Sequence, residues 1–433
     1  MPEIETGRVG GAITIVSGSP PRIDTDQPHT LSDGELVRIE GINGSGPMSD
    51  ECYVKAAGLT DRQCTLFADE TLKTPATLTH TYPTDATLAR LAREDVAVVV
   101  GITKYAHLKP LNGPETDAKA FRDWVRSSSG GCVADSNARL ILSSMFTSSG
   151  EPNLTKPTLE EMKVEFKRFS QLAPKRPSYR VGRRLYIFLS GHGITPTHSN
   201  IPNYEEPALL AANADPWSLG DHITGFAYAE WFRANGLFDE VILFADCCKD
   251  MKDNVAPTPP PFPTITPERP PGRRFYAAAT KLDSKAFEKM CGDPPTVRGV
   301  FSYVLMNALQ NGALCNDSGW LTGSVLARHL YHEVPQQQQG QEPAIFFVEA
   351  EDIQFVHRRT SAPNVAISFP TAWIGKEAQL IGRKYPNPDA VHTITAAPWT
   401  ISLEMGVYVV KAEDQSRHIE IDGKSGVKDV SFL

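Results

Sequence analysis

Nothing in this 433-residue chain approaches the 18 or more uninterrupted apolar residues of a membrane-spanning helix. Its first residues, MPEIETGRVGG, hold neither a basic leader nor an apolar signal core. A basic run is missing too: 43 Lys and Arg against 51 Asp and Glu leave a formal charge of −8, which argues against a nucleic-acid surface. Cysteine is sparse, with seven scattered residues and no C-x-x-C pair, so neither a disulfide scaffold nor a zinc knuckle is expected. These absences leave a soluble, cytoplasmic protein without nucleic-acid or membrane partners as the expectation.

What is present has three parts. Residues 1–88 read as short strands separated by turn residues ("AITIVSG", "GELVRIEG", "CTLFADE"), which predicts a small β barrel or sandwich. At Asp95 the pattern changes to strands alternating with helices, from "DVAVVVGI" through "VFSYVLMNALQNG". That alternation predicts an α/β domain over 89–358, a mostly parallel sheet with helices on both faces. From 359 to 433 only β-like runs remain, spaced as in a β sandwich. Proline collects in one place, "NVAPTPPPFPTITPERPPGRR", read as an exposed, extended loop over 254–274.

Two strand ends attract attention. "LYIFLSGHGITP" sets His192 between two glycines directly after an apolar run, and "VILFADCC" ends in the adjacent Cys247 and Cys248. In open parallel sheets the chemistry gathers beyond the carboxyl ends of the strands. A thiol becomes a useful nucleophile when a neighbouring base takes its proton, so an imidazole and a thiol on neighbouring strand ends form a candidate pair. Side chains alternate along a strand, so only one of the two cysteines can face the histidine.

Residues 93 to about 350 resemble the caspase, metacaspase and paracaspase clan of cysteine peptidases, of bacterial type. The likeness rests on "VVVGITKYAHLKPLNGPETDAKAF", "YIFLSGHG", "ALLAANAD", "VILFADCC", "RFYAAATKLDSKAFE" and "GVFSYVLMNAL", in that order. The resemblance implies a Cys-His dyad. Cys248 would attack the scissile carbonyl to form a thioester, and His192 would serve as acid and base. The backbone amides of Gly193 and Cys248 would hold the oxyanion. The Asp-x-Cys pattern of metacaspases selects Cys248 over Cys247, with Asp246 as the acid two residues earlier.

The resemblance further implies a pocket in which Asp246 and Asp117 grip an arginine or lysine of a protein substrate, since two converging carboxylates repel unless a cation joins them. An acid at a helix start, as Asp117 is, has a simpler reading through the macrodipole. Self-processing is a further expectation, at Arg273 or Arg274 rather than Arg269, which precedes Pro270. No cofactor is expected: "KDM" replaces the usual residues after the nucleophile, which counts against calcium dependence, and calcium is left open only through Asp250 and Asp253. The clan permits a role in regulated cell death or phage defence, and the β modules offer surfaces for a regulatory partner. The competing reading is a scaffold that has lost catalysis and binds partners.

Overall fold

The computed structural model describes residues 7–432 apart from 27–28, 30, 44–45, 81, 83–85, 148–149, 198–205, 218, 249, 254, 264–268, 283, 293, 311–313, 316–319, 348–352, 358–364, 383–389, 402, 404–405 and 422–426. Six strands come first: β1 (Gly7–Val16), β2 (Arg22–Thr25), β3 (Leu36–Asn43), β4 (Gly46–Lys55), β5 (Gln63–Phe67) and β6 (Thr87–Arg90). They close a barrel in the order β1-β2-β5-β4-β3-β6. Every second residue points inward, so Ile23, Val37, Ile39, Val54 and Leu66 fill the interior. Closure leaves no strand edge unpaired. His29 serves the barrel as a turn residue: its Nδ1 accepts from the Leu31 amide, and its Nε2 lies 3.0 Å from the Gln63 carbonyl.

The barrel is tied to the next part by one buried cation. Arg38 on β3 donates to the carbonyls of Arg126 and Val133, and pairs with Glu51 at 2.5 Å and Asp135 at 2.9 Å. A guanidinium with this many acceptors is satisfied where an unpaired one would be costly.

The α/β part opens with β7 (Asp95–Gly101), buried at every position, as a strand covered on both faces must be. There follow α1 (Pro114–Arg126), β8 (Ala138–Leu142), α2 (Leu159–Leu172), β9 (Gly182–Ser190), β10 (Gly193–Thr197), β11 (Ala208–Leu210) and β12 (His222–Thr224). Next come α3 (Gly225–Ala234), β13 (Phe238–Asp246), β14 (Asp250–Asp253) and β15 (Arg273–Ala278). The hairpin β16 (Glu288–Cys291) and β17 (Thr296–Gly299) leads into α4 (Val300–Gln310), β18 (Trp320–Thr322), α5 (Gly323–Gln337), β19 (Ala344–Phe347) and β20 (Gln354–His357).

The main sheet runs β8-β7-β9-β13-β15-β19, parallel except for β19. Helices cover both faces: Phe166 of α2 and Phe232 of α3 pack on one apolar cluster, Phe121 of α1, Leu305 of α4 and Leu330 of α5 on the other. The capping box predicted at Thr158 and Glu161 opens α2. A smaller sheet, β12-β11-β10-β14, extends beyond the strand ends that carry His192 and Cys248.

The proline-rich segment has no regular secondary structure over 255–263, yet it is fastened by particular contacts. Its stretch 255–263 lies on α3, where Phe262 packs on Trp231 (centroids 4.8 Å) and Phe232 (5.6 Å). Thr258 fastens it, donating from its amide to His222 Nε2 at 3.1 Å and accepting from Thr224 Oγ1 at 2.6 Å. Proline has no amide hydrogen to place in a ladder, yet its neighbours can still anchor a strap. The polar composition concealed that anchor.

The last strands are β21 (Val365–Ser368), β22 (Glu377–Gly382), β23 (Ala390–Thr393), β24 (Trp399–Ile401), β25 (Gly406–Ala412), β26 (Gln415–Ile421) and β27 (Lys428–Ser431). They form sheets β24-β21-β27 and β23-β22-β25-β26 around one apolar cluster that includes Ile367, Leu380 and Val410.

Candidate active site

Strands β9 and β13 pair with a constant offset of 56 residues, from Gly182 opposite Phe238 to Ser190 opposite Asp246. Strands β10 and β14 resume at that offset, with Ile194 opposite Asp250. His192 and Cys248 are 56 residues apart as well. They therefore stand opposite each other where the two chains leave the main sheet. Their separation in sequence is the sheet register itself.

Alternation decides which sulfur is available. Leu189, Ala245 and Cys247 belong to the cluster under α2 and α3, while Phe188 and Phe244 face α1 and α4. Ser190, His192, Asp246 and Cys248 continue the second set, and all four line one pocket of about 130 Å³. Cys247 is 2% exposed. Cys248 is half-buried, its Sγ 3.8 Å from the Ala286 carbonyl.

The imidazole is held from two sides. The His192 amide donates to Tyr105 Oη at 2.7 Å, and the Tyr105 ring meets the imidazole edge-on at 4.7 Å. His192 Nε2 lies 2.7 Å from the Lys109 carbonyl. A carbonyl only accepts, so Nε2 carries the proton and Nδ1 is left as the basic nitrogen. The flanking glycines answer to close approach. A Cβ on Gly191, whose φ is +156°, would overlap Tyr105 Oη; one on Gly193 would stand 2.6 Å from both the Cys247 Cβ and the Cys248 carbonyl oxygen.

The pocket is also acidic. Asp117, in the first turn of α1, is fully buried; Arg298 of β17 donates to its Oδ1, and the Gly299 amide to its Oδ2 at 2.8 Å. Asp246 Oδ2 accepts from the amide (3.1 Å) and hydroxyl (2.6 Å) of Ser302 in α4. Burial raises the Asp117 carboxyl to about 7, reinforced by the negative charge of Asp246 and opposed by Arg298. Burial likewise raises Asp246 to about 6, against the Ser302 hydrogen bonds. Glu288 closes the wall, its Oε1 accepting from the amides of Asn112 (3.1 Å) and Gly113 (2.7 Å) at the start of α1.

Comparison with protein families matches the caspase domain to residues 94–352. The chain belongs to the caspase-domain family. The match covers the strand ends, His192, Cys248 and both pocket carboxylates; the barrel and the last two sheets lie outside it. The search of curated proteins gives no match. A solved structure from Geobacter sulfurreducens is similar over 61% of this chain and 97% of its own, at 11% identity and a TM-score of 0.36, a likeness too remote to bear on function.

Against this caspase-domain frame, the residues expected from sequence fall into two groups. His192, Cys248, Asp117 and Asp246 share the pocket, and Gly193 begins β10 beside it. The three arginines do not join them. Arg273 and Arg274 sit inside β15, in register with Glu240 and Val241, at the end of the sheet far from Cys248, roughly 25 Å along β13. Arg273 pairs with Glu240, Arg274 with Glu230 at 3.7 Å, and Arg269 with Asp239 at 2.6 Å. The bonds after Arg273 and Arg274 lie in the ladder with β13, a placement that weighs against the expected self-cleavage there. Those arginines start a strand; they do not end a linker. Accordingly, the purified protein and its Cys248→Ala form should show no difference in intact mass attributable to a cut after Arg273 or Arg274.

Among the described residues, no group of three or more His, Cys, Asp or Glu side chains could hold a metal ion. The side chains of Asp250 and Asp253, on which the calcium expectation rested, lie outside the described residues, as does Lys249. No helix among the described residues is long and apolar enough to cross a membrane. Tyr105, the Lys109 carbonyl, Ser302, Glu288 and Arg298 escaped the sequence reading. Each acts through a contact between segments far apart in the chain, and all but Arg298 lay inside motifs singled out beforehand without being marked for a role.

Proposed function

We propose that this protein is a cysteine endopeptidase that cleaves protein substrates after arginine or lysine. The observation that carries the reading is a single pocket lined by a thiol, an imidazole and two buried carboxylates. Nδ1 of His192 takes the proton of the Cys248 thiol as sulfur bonds to the scissile carbonyl carbon. The imidazolium returns that proton to the departing amine, leaving a thioester. Water, deprotonated by His192, then attacks the thioester and releases a carboxylic acid and the thiol. The amides of Gly193 and Cys248 serve as donors to the oxyanion.

Specificity follows from charge. A substrate guanidinium or ammonium entering the pocket meets Asp246 and Asp117 away from bulk water, where the attraction is strong. An aspartate side chain would add a third negative group there. The test is a matched pair of aminomethylcoumarin peptides that differ only in the residue before the scissile bond. The arginyl peptide should be cut with a kcat/KM at least about 100-fold above its aspartyl counterpart. Faster turnover of the aspartyl peptide would overturn the assignment.

A further inference from the structure

One carboxylate of the pocket already has a cation beside it, and the position of that cation is informative. Arg298 reaches Asp117 from β17 with a side chain only 14% exposed, yet it is not among the residues that line the pocket. It approaches from behind. Gly299, the next residue, is where the two acids meet: a Cβ there would overlap Asp246 Oδ2 and stand 3.2 Å from Asp117 Oδ2. Asp246, by contrast, is held by the neutral Ser302.

We infer that Arg298 is a positioning residue for substrate recognition: it favours the ionised form of Asp117 and aims it into the pocket, so that a second negative charge can join Asp246 there near neutral pH. This rests on the reading of the pocket as a site for a basic side chain. The charged and titratable groups around Asp117 among the described residues are Asp246 from β13, Glu288 and Cys291 from β16 and Arg298 itself, with His192 and Cys248 lining the same pocket. Glu288 is engaged by the amides of Asn112 and Gly113. Arg298 is therefore the one cation of this group that bonds to the pair. Even beside it the Asp117 carboxyl stands at about 7. Without it, two like charges against one glycine leave one carboxyl protonated at neutral pH.

The placement also excludes a role as a plug. A side chain that filled the pocket as a stand-in for substrate would line it, and its removal would improve binding. A support does the reverse.

The experiment follows KM and kcat for the arginyl peptide between pH 6 and 9, with calorimetric binding of benzamidine as a readout that needs no turnover. Wild type, Arg298→Gln and Arg298→Lys are compared. Arg298→Gln should raise KM and the benzamidine Kd by about fivefold or more at pH 7, the loss of ionised carboxylate that a shift of about one unit from near 7 produces, with kcat within about threefold. The deficit should close towards pH 9 as the carboxyl ionises, and Arg298→Lys should restore most of it at pH 7. A merely structural role would give a loss that ignores pH. An unchanged or lowered KM in Arg298→Gln overturns the inference alone, leaving the basic pocket intact. Wild type that neither cuts the arginyl peptide nor binds benzamidine overturns the pocket reading and this inference with it. Should Arg298→Gln fail to fold, Asp117→Asn carries the test: its KM must rise by a similar factor, and an unchanged value refutes the role.

Discussion

Replacing Cys248 by alanine should lower kcat/KM for the arginyl peptide by about 10⁴-fold or more, while Cys247→Ala retains activity within about tenfold. The contrast is sharp because the two sulfurs are chemically identical and adjacent. Strand alternation sends Cys247 into the apolar cluster under α2 and α3, 2% exposed, and leaves Cys248 lining the pocket opposite His192. His192→Ala should fall with Cys248→Ala, and the double variant should be no worse than either single one, since nucleophile and base act as a unit. Alkylation by iodoacetamide, read by mass spectrometry, gives an independent check: Cys248 should react and Cys247 should not. Activity that follows Cys247 instead would reverse the parity of the strand end and dismantle the site.

Asp246→Asn should cost about 10²–10³-fold in kcat/KM for the arginyl peptide at pH 8, the range expected when one partner of a buried charge pair is lost. The same substitution should make the protein more stable. Asp246 is raised from 3.8 to about 6 by burial, so the folded chain holds this proton more tightly than the unfolded chain. Stability from this group therefore falls as pH rises from about 4 through 6 and stays reduced above. Asparagine escapes that loss. Both Ser302 bonds fall on one oxygen, Oδ2, and an amide oxygen can accept them. The melting temperature of the variant should exceed wild type by a few degrees at pH 8, corresponding to on the order of 1–3 kcal/mol, and the difference should vanish near pH 4. The same ionisation gives wild type a KM for arginyl peptides that falls as pH rises through 6–7. A variant equally active on arginyl peptides would remove Asp246 from recognition.

Some of this was visible in the sequence because its physics is local. A strand buried on both faces must be apolar throughout, so "DVAVVVG" and "LYIFLS" announce central strands. The tertiary structure departed from the reading where polar composition misled. "PTPPPF" reads as exposed, yet Phe262 anchors it on α3; the final "GRR" reads as the end of the loop, yet its arginines begin β15 and pair with Glu240 and Glu230. An arginine in a loop and an arginine at a strand start look alike until the partner carboxylate is known.

By itself the sequence determined which chemistry could occur: a thiol, an imidazole and two acids, each at the end or start of an element with a fixed periodicity. That follows from backbone geometry, which makes side-chain direction a matter of counting. Only the tertiary structure decided which nitrogen of His192 is left basic, which carboxylate has a guanidinium behind it, and which arginines are locked away. Those outcomes depend on hydrogen bonds between segments distant in the chain, and their partners have no signature in local pattern.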